Sequence, residues 1–138
     1  MSGVTADFTT AQAAHDGASA GDTIHLEPSV NSYGSVNSSK PLVWLSIGSF
    51  LIDNPGNQFS TTTGKIENIT FNNGSAGSVV SLFINSSLNI FTSNITINRS
   101  LITGTVSLYY NPSNIVVSQS FIGAYCTMDA TNVIFSNN

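Results

Sequence analysis

The chain has 138 residues, 41% of them hydrophobic and only 7% charged, with a formal net charge of −4. Disorder requires low hydrophobicity and high net charge, so one folded domain is expected. Nucleic acid and anionic membrane surfaces both call for clustered cations, and the scattered Lys40, Lys65 and Arg99 exclude both as partners.

Residues 7–19 read as a short helix, capped by Asp7 or Thr9, with Phe8, Ala11, Ala14 and Ala18 on one face and Gly17 and Gly21 ending it. Gly21-Asp22-Thr23-Ile24-His25-Leu26-Glu27-Pro28 follows as a strand with Ile24 and Leu26 on one side, stopped by Pro28. Asp22 is expected to bond neighbouring backbone as the chain turns. Residues 29–39 read as a polar excursion around Tyr33-Gly34, and Lys40-Pro41 then leads into the apolar strand Leu42–Ile47, closed by Gly48. Residues 53–57 read as a turn and 61–64 as a loop off the second coil.

From Ile66 onward one pattern recurs: an Asn, then apolar residues two apart, then small polar residues. Its copies begin at Asn68, Asn94, Asn114 and Asn132, separated by roughly 26, 20 and 18 positions, a spacing in the range of solenoid repeats. Apolar residues two apart bury one face of a strand rather than of a helix. Second apolar runs follow at Val80–Ile84, Val106–Tyr110 and Ala124–Met128, giving two strands per repeat stacked coil on coil. On this reading Ile69, Ile95, Ile115 and Val133 pile one above another. Asn68, Asn94, Asn114 and Asn132 form a structural ladder at one corner, where Asn tolerates the left-handed backbone and stacked amides bond along the axis. Cys126, the single cysteine, excludes an internal disulfide and reads as a small buried hydrophobe between Ala124 and Met128.

The small-residue helix, Gly-Asp-Thr-Ile-His-Leu, the Tyr33-Gly34 pair, and Lys40-Pro41-Leu42 before an apolar strand ending at Gly48 resemble the opening coil of pectate-lyase-like (pectin-lyase-fold) proteins. The resemblance implies an all-β, right-handed parallel β-helix with a short N-terminal capping α-helix: a single domain over residues 1–138, the cap at 7–19 and the coils at 22–138. A cap also has a physical reason, because the first coil of a solenoid exposes an apolar cross-section and unpaired backbone groups. That fold hosts lyases, hydrolases, isomerases, viral adhesins and proteins without catalysis, so activity has to be argued from the site.

Lyases of that kind need a calcium-binding Asp cluster with an Arg or Lys base, and hydrolases need paired carboxylates. From Asn68 on, only Arg99 and Asp129 are charged, on different coils near turns, so no catalytic residues are assigned. Asp53 and Glu67 read as solvated acids flanking a loop. His15 on the cap helix and His25 facing outward have no third ligand beyond Asp16 or Asp22, so neither metal nor cofactor is expected. Serine occurs without a nucleophile-elbow motif. The Thr103-Gly104-Thr105 and Thr61 runs do not recur at the coil period, against an ice-binding array. Asn-x-Ser/Thr triplets at Asn68, Asn94 and Asn98 are expected by chance in so Ser- and Thr-rich a chain.

Two surfaces are expected to make contacts. Phe83 and Tyr109 are read as matching outward positions one coil apart, with Tyr125 nearby, as an aromatic strip for a protein partner or a glycan. The last coil, with Val133, Phe135, Asn137 and Asn138, is followed here by no helix or charged segment, so it is expected either to continue into a longer protein or to assemble end to end with a protein partner or another copy. Met1–Thr5 shows no basic-then-apolar secretory pattern, and no run of about 18 apolar residues would span a bilayer. The expected role is a non-enzymatic structural β-helix, a virion surface component of a bacteriophage such as a capsid decoration or appendage subunit, at the virion surface or outside the cell. The alternative is a polysaccharide-binding or degraded lyase-like module, and third comes an active polysaccharide lyase or hydrolase.

Overall fold

Strands with one apolar face need a partner surface, and this chain supplies it by stacking each strand on its own earlier copy. The computed structural model describes residues 7–46, 50–53, 58–61, 64–80, 82–123, 126–127 and 130–136. The first coil carries α1 (Ala11–Gly17), β1 (Thr23–Leu26) and β2 (Val36–Ser38). The second carries β3 (Val43–Ser46), an antiparallel hairpin of β4 (Phe50–Asp53) and β5 (Gln58–Thr61), then β6 (Lys65–Ile66) and β7 (Ile69–Phe71). The third has β8 (Gly77–Val80), β9 (Phe83–Ile84) and β10 (Leu88–Ile90), and the fourth β11 (Ile95–Asn98), β12 (Leu101–Ile102) and β13 (Val106–Leu108). The fifth has β14 (Ser113–Ser118), β15 (Phe121–Ile122) and β16 (Cys126–Thr127), and β17 (Thr131–Ser136) starts another rung. The result is a parallel β-solenoid of about 5 turns with one short helix.

Each coil has three sides, not the two expected. The strand order is β1-β3-β8-β11-β14-β17 in sheet 1, β2-β7-β10-β13-β16 in sheet 2 and β6-β9-β12-β15 in sheet 3. Sheet 3 strands are two residues long, too short for alternation to show in the sequence. The run Val80–Ile84 is accordingly split, its start closing β8 and its end forming β9. Residues 29–39 likewise contain a strand, β2, with Val36 and Ser38 buried.

The core is a set of vertical columns. In sheet 1, Ile24, Trp44, Val79, Ile97, Val117 and Phe135 register one above another. Val36, Ile69, Leu88 and Val106 do the same in sheet 2, and Ile66, Ile84, Ile102 and Ile122 in sheet 3. The expected column of Ile69, Ile95, Ile115 and Val133 needs correcting. Ile95, Ile115 and Val133 do stack in sheet 1, but Ile69 stacks on Leu88 in sheet 2. Paired residues lie 18–20 positions apart, and 33–35 apart across the coil that carries the hairpin. The spacing of roughly 26 from Asn68 to Asn94 is one coil plus one side, which carries the chain from one sheet into the next.

Trp44 is fully buried, and its indole Nε1 has no hydrogen-bond partner, a cost of about 1–3 kcal/mol that the burial of its large ring offsets. Gly104 is sterically required: a Cβ there would run into the carbonyl oxygen of Ser86 on the coil below. Burial in a column makes a specific demand on stability. Ile97→Ala, at a site with 0% exposure, is expected to cost about 2–5 kcal/mol in urea unfolding, whereas Thr96→Ala on the outer face should stay within about 0.5 kcal/mol.

Candidate functional site

At the N-terminal end, side chains of α1 cover the outer edge of β2. The helix starts at Thr10, whose Oγ1 accepts from Ala13 N–H at 3.2 Å; Thr10 is the cap, rather than Asp7 or Thr9. Among the described residues strand β2 pairs with β7 on one edge only. On its other edge, the N–H groups of Asn37 and Ser39 donate to Gln12 Oε1 at 2.9 Å and His15 Nε2 at 3.0 Å. Residues three apart on a helix share a face and so meet backbone donors two apart on the strand. With Nε2 accepting, the neutral His15 ring carries its proton on Nδ1, 2.9 Å from Asp16 Oδ1. Lys40 Nζ donates to the carbonyls of His15, Asp16 and Ala18 at 2.9, 3.0 and 2.8 Å, placing a cation on the negative end of the helix. Asp22 turns the chain as expected, accepting from Ser19 N–H at 2.8 Å. These contacts commit His15 to structure, while His25 on β1 faces solvent.

The Asp16 carboxyl is held below the ordinary aspartate range, first by its hydrogen bond with His15 and then by that from Gln12, with Lys40 adding to the effect. A depressed carboxylate pKa contributes stability above the unfolded-state value, and that contribution is lost as pH falls through the folded-state value. Below about pH 4 the cap should therefore loosen, and the drop in Tm on acidification should be smaller in Asp16→Asn than in the parent protein.

The corner between sheet 2 and sheet 1 is turned by Asn94, Asn114 and Asn132, with φ of 63°, 58° and 52°. Their amides form a ladder: Asn114 Nδ2 donates to Asn94 Oδ1 at 3.0 Å and Asn132 Nδ2 to Asn114 Oδ1 at 3.5 Å. Asn68 stands elsewhere, before β7, donating to Ser35 Oγ at 3.1 Å and accepting from Ser87 N–H at 3.0 Å. The next corner uses Arg99 and Gln119, with φ of 45° and 50°. There the Ser100 hydroxyl accepts from Leu82 N–H at 3.3 Å and the Ser120 hydroxyl accepts from Ser100 N–H at 3.2 Å, so the buried serines satisfy corner backbone. Because the corner conformation disfavours a Cβ, Asn114→Ala should cost about 1–2 kcal/mol and Asn114→Gly less, as read by urea unfolding.

The expected aromatic strip is not a column. Phe83 lies in β9 of sheet 3, registered with Lys65 and Leu101, and the Lys65 ammonium sits 5.7 Å from its ring centroid. Tyr109 follows β13 at the corner before sheet 1; the 26 positions between them again span one coil plus one side. Tyr125 lies outside the described residues, as do Asn137, Asn138 and the side chain of Cys126. What stacks on Tyr109 is Phe91, with ring centroids 4.6 Å apart and planes 12° from parallel. Tyr110 leans on the same Phe91 at 5.8 Å and is 86% exposed. Neither Phe91 nor Tyr110 stands out by strand periodicity, but the turn-forming Asn111-Pro112 marks the longer corner that presents them. A groove of about 870 Å³ opens beside these rings, floored by Phe91–Asn94 and walled by Asn72–Gly74 and Tyr110–Pro112. A second cleft of about 470 Å³ lies between α1 and β1, lined by Phe8, Ala11, Ala14, Ile24, Leu26 and Tyr33.

At the far end, β17 pairs with β14 on one edge only among the described residues. Ile134 is 55% exposed and Phe135 39%, although Phe135 continues the column of Trp44 and Ile97, and Val133 is half-buried. Among the described residues no three His, Cys, Asp or Glu side chains group as a metal site, and no helix is long and apolar enough to cross a membrane. Arg99 is exposed at its corner, and Glu67 accepts from Asn85 Nδ2 at 3.1 Å. No protein-family model, curated protein or solved structure matches the chain.

Proposed function

We propose that this protein is a non-enzymatic structural β-helix that works by being contacted, as a virion surface component such as a bacteriophage capsid decoration or appendage subunit. The observation that carries the reading is the rung at β17, where Ile134 and Phe135 are 55% and 39% exposed and the strand is paired on one edge only among the described residues. Such an edge offers main-chain hydrogen bonds and an apolar column to a strand of another subunit. At the first coil α1 covers the outer edge of β2, so the two ends offer different surfaces, which suits a subunit added in a fixed orientation. The helix over the first coil and the pectate-lyase-like opening sequence support placing the chain beside the viral adhesins of that fold class. A surface of Ser, Thr and Asn, with little charge, suits a rigid part exposed outside the cell.

Light scattering across a concentration series tests the reading. The parent protein is expected to associate below about 100 µM, and Ile134→Lys should weaken association by about tenfold or more. A parent protein that stays monomeric throughout would sink the proposal. Release of unsaturated uronides from polygalacturonate, read by ultraviolet absorbance, would overturn its non-enzymatic part.

A further inference from the structure

We infer that the groove beside Phe91 and Tyr110 is a binding site for a neutral saccharide. It is built on earlier coils than β17 and does not depend on association. Three observations converge on it.

The first is a local insertion. Sheet 1 strands β11 and β14 are separated by 20 positions, whereas β14 and β17 are separated by 18. The two extra residues fall in the corner Tyr109–Pro112, four residues between Leu108 and Ser113 where the coil below has only Phe91 and Thr92 between the matching Ile90 and Ser93. They hold Tyr110 and Asn111 at φ of 62° and 53°. A bulky residue there is strained by about 1–3 kcal/mol, and the effect of that strain is to hold a large ring out in water.

The second is ring geometry. Tyr109 stacks on Phe91 at 4.6 Å, so the Phe91 side chain is braced, and Tyr110 tilts 42° across it. The apolar C–H face of a pyranose packs on such exposed ring faces, which carry partial negative charge.

The third is the chemistry of the rest of the lining. Asn73, Thr92, Ser93 and Asn111 surround the rings, and no charged side chain lines the groove among the described residues. Among the described residues Asn73 and Asn111 have no side-chain hydrogen-bond partner, and an amide both donates and accepts, as a sugar hydroxyl does. A proline-rich peptide would stack equally well but offers a row of carbonyl acceptors, which leaves the amide oxygens without donors. Polyuronates and nucleic acids would meet a chain of net charge −4 with no cation in the groove. The groove crosses three successive coils, about 10 Å at the spacing of neighbouring strands, so it runs along the solenoid axis and suits an extended sugar chain.

The test is isothermal titration of the whole protein with short neutral oligosaccharides of glucose, mannose, galactose and N-acetylglucosamine, with oligogalacturonate and a proline-rich peptide alongside. At least one neutral sugar should bind with a Kd of about 1 mM or tighter. Tyr110→Ala should weaken it about tenfold or more, while Tyr110→Phe keeps the ring and binds within about twofold of the parent. Asn73→Ala should weaken binding, and Asn89→Ala on the face of β10 should leave it unchanged. The inference is overturned if no neutral sugar binds at about 10 mM, if Tyr110→Ala binds like the parent, or if oligogalacturonate or the peptide binds more tightly than every neutral sugar.

Discussion

The vertical register between successive rungs is the constraint on which the structure depends. Outside the β4/β5 hairpin each strand pairs in parallel with its counterparts on neighbouring coils, so side chains 18–20 positions apart in sequence, or 33–35 where the hairpin intervenes, become direct neighbours. Apolar residues then fill whole columns, as Val36, Ile69, Leu88 and Val106 do. The outer face obeys the same rule. Asn37, Thr70, Asn89 and Ser107 share one polar column, where repeated like charges would repel at every rung. The 7% charged content is thus a consequence of stacking, and does not mark an insoluble or disordered chain.

Because a one-residue slip within a rung would exchange inner and outer faces, length variation is confined to the corners. The hairpin of β4 and β5 is inserted between sheets 1 and 3, and the two extra residues at Tyr109–Pro112 are inserted between sheets 2 and 1. Backbone in the left-handed region does the turning, at Asn94, Asn114 and Asn132 on one corner and at Arg99 and Gln119 on the next. Corners are where this scaffold can change without losing its core, and the aromatic groove sits on one of them.

The two ends answer the edge problem differently. At the first coil, Gln12 and His15 take the place of a missing strand by accepting from β2, and Lys40 ties the helix that carries them to the coil. At β17 the sheet 1 ladder meets no equivalent among the described residues, and Phe135 is 39% exposed at the top of a column whose members from Trp44 to Val117 are buried.

Fold class, cap helix and the burial of Ile95, Ile97, Ile115 and Val117 were legible in the chain itself, because alternation at period two is a local pattern repeated often enough to be seen. The third side of the coil was not legible, since two-residue strands such as Phe83–Ile84 carry no period. That omission moved Asn68 and Phe83 into columns where they do not belong. The cap contacts of Gln12 and Lys40, and the meeting of Phe91 with Tyr109 and Tyr110, were decided by tertiary structure alone. Sequence periodicity reports which face of a strand is buried, whereas contacts between coils depend on the residue count around each turn, which stacking sets.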